Sequence, residues 1–155
     1  MTVRVYIPAT FADLRGQSIS AAQAFAATQE LQLELDEHDT EALEFAAFLA
    51  AVDASLEQLT GRGDSVPLRR VVLAADVPAR QTAKPAGQEN HPAGIVLEGE
   101  VGWSAVAAIH VDEPSAADDV AGALAGDAAA AERLWELDLL WYAPEELAGL
   151  IEGAL

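Results

Sequence analysis

The residues best placed to do chemistry in this chain are a histidine and an aspartate two positions apart, in Ala-Ala-Ile-His110-Val-Asp112-Glu113-Pro. Alternate residues of a strand share a face, so His110 and Asp112 are expected to point together, away from Ile109 and Val111. A histidine beside a carboxylate can act as a general base or hold a metal ion. The pair also stands where a strand gives way to a helix, a common ligand position in α/β sheets. The structural alternative is that His110 closes the sheet edge and Asp112 opens the turn. Two polar residues form a short motif, so the structural alternative carries more weight. Asp76 ends a second strand, which Arg69 and Arg70 begin. Either arginine could bind an anionic ligand. In a chain with eight basic and 26 acidic residues, an arginine–carboxylate pairing is the stronger expectation. Tyr6, at the end of the first strand, and Thr10, at the start of the next helix, complete the candidate ligand-binding set with Arg70.

Little else in the sequence offers a reaction. There is no cysteine, which removes disulfides, thiolate catalysis and cysteine-bound zinc. The acidic run Glu34, Asp36, Glu37, His38, Asp39 and Glu41 lacks the ligand spacing and central glycine of a calcium loop. It reads as a solvated approach to a helix N-terminus, where carboxylates are favoured. No glycine-rich phosphate loop follows a strand, and no GxSxG occurs. No metal and no cofactor is expected. A net charge of −18 argues against nucleic acid and anionic membranes, which are bound by Lys and Arg. The acidity fits solubility or a salty interior, with a basic partner or a divalent cation as the functional alternative. Met-Thr-Val-Arg-Val-Tyr-Ile-Pro reads as a strand and not as a secretory signal, and no apolar run reaches the ~18 residues of a membrane span. A soluble cytoplasmic protein is expected.

The elements that must position these residues follow from periodicity. Residues 3–7 alternate with period two and form a strand. Thr10 caps a short helix over 11–15. Residues 23–28 read as a weak short strand. The clearest helix runs over 40–60, with Phe45, Leu49, Val52, Leu56 and Leu59 as one apolar stripe, taken as its core face. Arg62-Gly63-Asp64 reads as a turn. Residues 68–76 hold a continuous apolar run, as in a central strand. Residues 78–93, with Pro78, Pro85 and Pro92, read as a mobile loop. Strands follow at 94–98 and 106–111, helices at about 115–125 and 127–136, a strand at 138–142, and a final helix opened by Pro144. Tyr6-Ile-Pro-Ala-Thr-Phe-Ala-Asp-Leu14 echoes Tyr142-Ala-Pro-Glu-Glu-Leu-Ala-Gly-Leu150, as shared strand-to-helix chemistry. Trp103, Trp135 and Trp141 are large anchors in an aromatic-poor chain, expected in the core, with interface anchoring as the alternative.

With the weak strand set aside, the order is strand, helix, strand, strand, helix, strand. One α+β domain over 1–155 is expected, a ferredoxin-like βαββαβ sandwich with an extra terminal helix. A three-layer α/β arrangement with a mixed sheet is the alternative. Parallel pairing of strand 3–7 with strand 106–111 would bring Tyr6, Thr10, His110 and Asp112 to one rim. The leading functional expectation is a non-enzymatic binding or protein-interaction domain that pairs as a homodimer. The alternative is a small enzyme or ligand-binding protein, with a site near Thr10, Asp76, His110 and Asp112 and the loop 78–93 as its lid.

Four segments carry a resemblance: Val-Tyr-Ile-Pro-Ala-Thr-Phe-Ala-Asp-Leu, Arg-Arg-Val-Val-Leu-Ala-Ala-Asp-Val-Pro, Ala-Ile-His-Val-Asp-Glu, and Leu-Leu-Trp-Tyr-Ala-Pro-Glu-Glu-Leu. Together the chain resembles a group of small, acidic, uncharacterised actinobacterial proteins, a domain of unknown function. The resemblance implies one domain in an intracellular bacterial setting. It implies no activity and supplies no catalytic residues.

Overall fold

The computed structural model describes residues 1–86 and 90–153. The β-branched runs form the centre of one antiparallel sheet: β1 (Thr2–Ala9), β4 (Val71–Pro78) and β8 (Val106–Val111). Shorter strands extend it: β3 (Gln23–Phe25), β5 (Thr82–Ala83), β6 (Gly94–Leu97) and β9 (Leu140–Tyr142). The order across the sheet is β5-β6-β3-β1-β4-β8-β9. A separate two-stranded ribbon pairs β2 (Ser18–Ile19) with β7 (Val101–Gly102).

The mixed α+β class is as expected, but the strand order is not the interleaved ferredoxin-like one. β1, β4, β8 and β9 lie side by side in chain order, each antiparallel to the next. The expected parallel pairing of 3–7 with 106–111 does not form, because β4 lies between them. The weak strand over 23–28 is the reason on the other flank. As β3, it takes the second edge of β1, with Tyr6 opposite Phe25. The alternative of a mixed sheet is likewise not seen in the described pairings, which are all antiparallel.

Both faces of the sheet are covered, though unequally. Val5, Ile7, Leu73, Val77, Ile109 and Val111 point to one side. There they pack under α1 (Phe11–Leu14), the β2–β7 ribbon and α6 (Leu147–Ile151), through Phe11, Leu14, Ile19 and Leu150. On the other side Tyr6, Phe25, Val72, Ala74 and Ala108 face α3 (Thr40–Gln58) and Leu31 of α2 (Gln29–Leu35). α4 (Ala117–Leu124) and α5 (Ala128–Glu136) pack on each other and on the end of α3, through Val120, Leu134 and Leu59. Among the described residues, no helix is long and apolar enough to cross a membrane.

The face of α3 that meets the sheet differs from the expected stripe. It is built from Leu43, Ala47, Ala50, Ala51 and Ala54, with Ser55 beside them. Alanines leave the helix room to sit close to the large residues beneath it. Ser55 fixes the depth: its hydroxyl donates to the Ala9 carbonyl at 2.7 Å and accepts from the Val71 N–H at 2.9 Å. Of the expected stripe, Val52 and Leu59 are buried, while Phe45 is 59% exposed and Leu49 also reaches solvent. The large side chains were the louder signal in the sequence, but the small ones make the contact.

Two substitutions separate these faces. Ala47→Leu should overpack the seam and cost about 1–3 kcal/mol. Phe45→Ala should cost under about 1 kcal/mol, since little buried surface is lost. Urea unfolding of both variants checks this, and a larger loss for Phe45→Ala would reverse the assignment of faces.

Candidate functional site

The expected rim divides into two unlike places. The first is a buried knot where β1 ends, β4 begins and β8 ends. Asp112 lies one residue beyond β8 and is fully enclosed. Its carboxylate accepts two bonds from the Arg70 guanidinium, at 2.7 and 2.8 Å, and a third from the Arg70 backbone N–H at 2.9 Å. Arg69 donates from Nε to the Asp112 carbonyl at 2.7 Å and lays its guanidinium over the Phe11 ring. Burial pulls the Arg69 guanidinium below its ordinary range. One outer nitrogen of Arg69 has no hydrogen-bond partner among the described residues. Thr10 is also buried, and its N–H donates to the Asp13 carboxylate at 2.8 Å, closing the first turn of α1. The arginine–carboxylate pairing expected from the charge balance is therefore present. Asp112 and Arg70 join the ends of β4 and β8, and Thr10 closes the turn after β1.

The second place is a groove on the α3 side of the sheet, about 830 Å³ in volume. Its floor is the small-residue patch Ala74 and Ala108, with His110 and Trp141 directly opposite each other on β8 and β9. α3 supplies one wall through Phe45, Phe48, Leu49 and Val52. The other wall is α5 and the segment after it, including Trp135, Leu137 and Leu139. Trp135 and Trp141 are 74% and 60% exposed there, so these two tryptophans are not core anchors. Trp103 is the one of the three that packs against the core, with its indole N–H donating to the Gly16 carbonyl.

Tyr6 and His110 both reach this groove, but they do not meet. The Phe48 ring stands between them, 5.9 Å from Tyr6 and 4.8 Å from His110, edge-on to both. The Tyr6 hydroxyl is 3.5 Å from the Glu44 carboxylate. Burial, and then the Glu44 charge, raises the Tyr6 phenol above its ordinary range. Burial lowers His110, and the positive charge of Arg4 adds to the effect. His110 makes no hydrogen bond or ion pair with the described residues. Its ring nitrogens are unclaimed in the groove floor.

Asp76 does not join the strand-end rim. It faces Arg4 across β1 and β4, whereas Ala9 faces Val71 five residues further along, roughly 17 Å away. Arg4 grips it with two bonds, at 2.8 and 3.0 Å. Those bonds hold the Asp76 carboxyl below its ordinary range. The echo between Tyr6 and Tyr142 is also only local: Tyr142 packs on the opposite side of the sheet. The loop 78–93 cannot cover His110, because its strand β5 lies at the far edge of the sheet from β8 and β9. Residues 87–89 of that loop lie outside the described residues. Among the described residues no cluster of His, Asp and Glu could hold a metal ion, including the acidic run before α3. There Asp39 instead caps the helix, accepting from the Glu41 N–H.

The groove's signals were present in the sequence but not joined. In the sequence Phe45 and Leu49 fall on the apolar stripe of α3 and read as inward-facing. Trp135 and Trp141 read as core or interface anchors, with nothing in the sequence to place them beside α3.

The arrangement defines an α+β domain with a wide antiparallel sheet, one face of which is incompletely roofed by helices. The chain belongs to a family of unknown function, DUF6912, whose model matches residues 3–151. Against the curated proteins and the solved structures, the chain finds no match.

Two measurements follow from this geometry. Asp112→Ala strands a buried arginine and should cost about 3–5 kcal/mol in urea unfolding; a cost near zero would mean the pair is not buried in solution. The lowered His110 favours its neutral form in the folded chain. Its contribution to stability is full above the ordinary value of about 6.5 and is lost as pH falls through the lowered folded value. The stability difference between the parent and His110→Gln should therefore shift against the parent as pH drops below that range. A pH-independent difference would contradict the burial of the ring.

Proposed function

We propose that this is a non-enzymatic binding domain whose groove between α3 and β9 receives an apolar part of another molecule. The observation that carries the reading is the concentration of large apolar side chains at the surface in one place. Phe45, Leu49, Trp135 and Trp141 all border the same uncovered strip of sheet. Scattered apolar residues on a surface need no explanation, but a contiguous concave patch marks an interaction or ligand site. α3 points the same way. It is apolar over much of its circumference, as helices buried on several sides are, yet only one side meets the sheet.

The alternative is a ligand-binding or enzymatic site at His110. It is favoured by one fact, the unclaimed imidazole in the groove floor. Against it, the polar side chains on the sheet around His110 are engaged: Arg4 with Asp76, Tyr6 with Glu44, and Arg70 with Asp112. Phe48 keeps Tyr6 from serving as His110's acid or base partner. A general base must reach its proton within hydrogen-bond distance, and its orienting partner must reach it in turn. The homodimer reading places a second copy on the same groove. The absence of cysteine and the acidity of the chain support a cytoplasmic setting.

Nile red, a neutral apolar dye, tests the groove directly. The folded protein should raise its emission, and Leu49→Asp combined with Trp141→Ser should reduce that rise several-fold with little change in stability. Equal emission with parent and variant would remove the groove as the binding surface.

A further inference from the structure

We infer that the groove's occupant is a basic amphipathic helix of a partner protein, an inference that rests on the groove being the binding surface. The first support is shape. α3 lies across β3, β1 and β4. On the same face, among the described residues, no helix lies along β8 and β9: α3 reaches β8 only from its side, through Phe48 on His110, and α4 and α5 pack against the end of α3. Two strands are about 10 Å wide and a helix with its side chains is about 10–12 Å across. The uncovered strip thus has the width of one helix beside α3. Strand addition is the poorer fit, because the edge strand β9 is only three residues long. It offers too short a ladder for the main-chain bonding on which that mode relies.

The second support is charge. Both arginines that line the groove are already neutralised from within, Arg4 by Asp76 and Arg70 by Asp112. The carboxylates that line it are not. Among the described residues, Glu41, Asp53 and Asp138 carry no salt bridge, and Glu44 meets the Tyr6 hydroxyl. The groove is therefore apolar along its walls and negative along its borders. Lys or Arg flanking an apolar helix face would meet those carboxylates, and could also lie on the exposed rings of Trp135 and Trp141. A second copy of this chain is a poor match in charge, since it brings another −18 to an already negative border.

The test uses three synthetic helices of about 18 residues, long enough to be helical on their own. One has a leucine face and lysine flanks. One has glutamine in place of every lysine. The third scrambles the first so that no leucine face remains. Binding is read from intrinsic tryptophan fluorescence at physiological salt, with sedimentation of the protein alone alongside. The leucine–lysine helix should bind at least about tenfold more tightly than the other two. Removing groove charge with Glu41→Gln, Asp53→Asn and Asp138→Asn should weaken it several-fold. Removing as many charges elsewhere, with Glu98→Gln, Glu100→Gln and Glu145→Gln, should not. Equal binding of the scrambled peptide, or equal weakening by the distant substitutions, would reduce the effect to bulk charge and overturn the inference. Equal binding of the glutamine helix would overturn the charge requirement while leaving the groove as the binding surface. Dimerisation that Trp141→Ser abolishes would make a second copy the occupant and overturn the inference. If no helix binds while Nile red still reports the groove, the helix inference fails alone. If Nile red fails as well, the groove itself falls.

Discussion

The architecture depends on how closely α3 lies against β1 and β4. That approach is possible because the contacting residues of the helix are, Leu43 apart, alanines and a serine, and the bulk beneath is supplied by the sheet, by Tyr6, Phe25 and Val72. Ser55 bonds to the end of one strand and the beginning of the next, so it sets helix depth and strand alignment together. A helix that touches the sheet through its small residues must carry its large ones elsewhere. Phe45, Phe48 and Leu49 consequently lie along the side of α3 and become a wall.

The knot formed by Arg70 and Asp112 explains why the most reactive-looking pair in the sequence does not come together as a pair. A buried ion pair is tolerated when each charge meets its partner with good geometry and the remaining lone pairs are used. Asp112 satisfies this with three donors from one residue. Its carboxylate is committed to joining β4 and β8 at their common end. His110, two residues earlier, remains within the strand and on the side of α3. Two neighbours in sequence are thus divided between structural work and a solvent-accessible surface.

Periodicity made the central strands legible. β1, β4 and β8 were readable as apolar runs, and α3 as a long helix with an N-terminal cap. The arrangement of the strands was less accessible, because β3 has only three residues and little period to detect. Discounting it freed an edge of β1 on paper and led to a parallel partner that β4 in fact excludes. The expectation that His110 and Asp112 share a face assumed a strand through both. The strand stops at Val111, and Asp112 turns into the interior. The inward face of α3 was misjudged for a different reason. Hydrophobic patterns weight large residues, whereas a close helix–sheet seam selects small ones. Arginine–carboxylate pairing was foreseeable from charge scarcity alone, although which carboxylate would be used was not.

The two sides of the groove differ in how firmly they are held. α3 is anchored along its length by the seam and by Ser55. The opposing wall, α5 and the segment after it, leads into β9, which is three residues long and sits at the sheet's margin beside β8. Short marginal strands open at a small fraction of the free energy needed to unfold a core. The cleft therefore has a stiff jaw and a compliant one. Its width can adjust from the β9 side while the remainder of the sheet keeps its register, so residues of different bulk can be accommodated without disturbing the core.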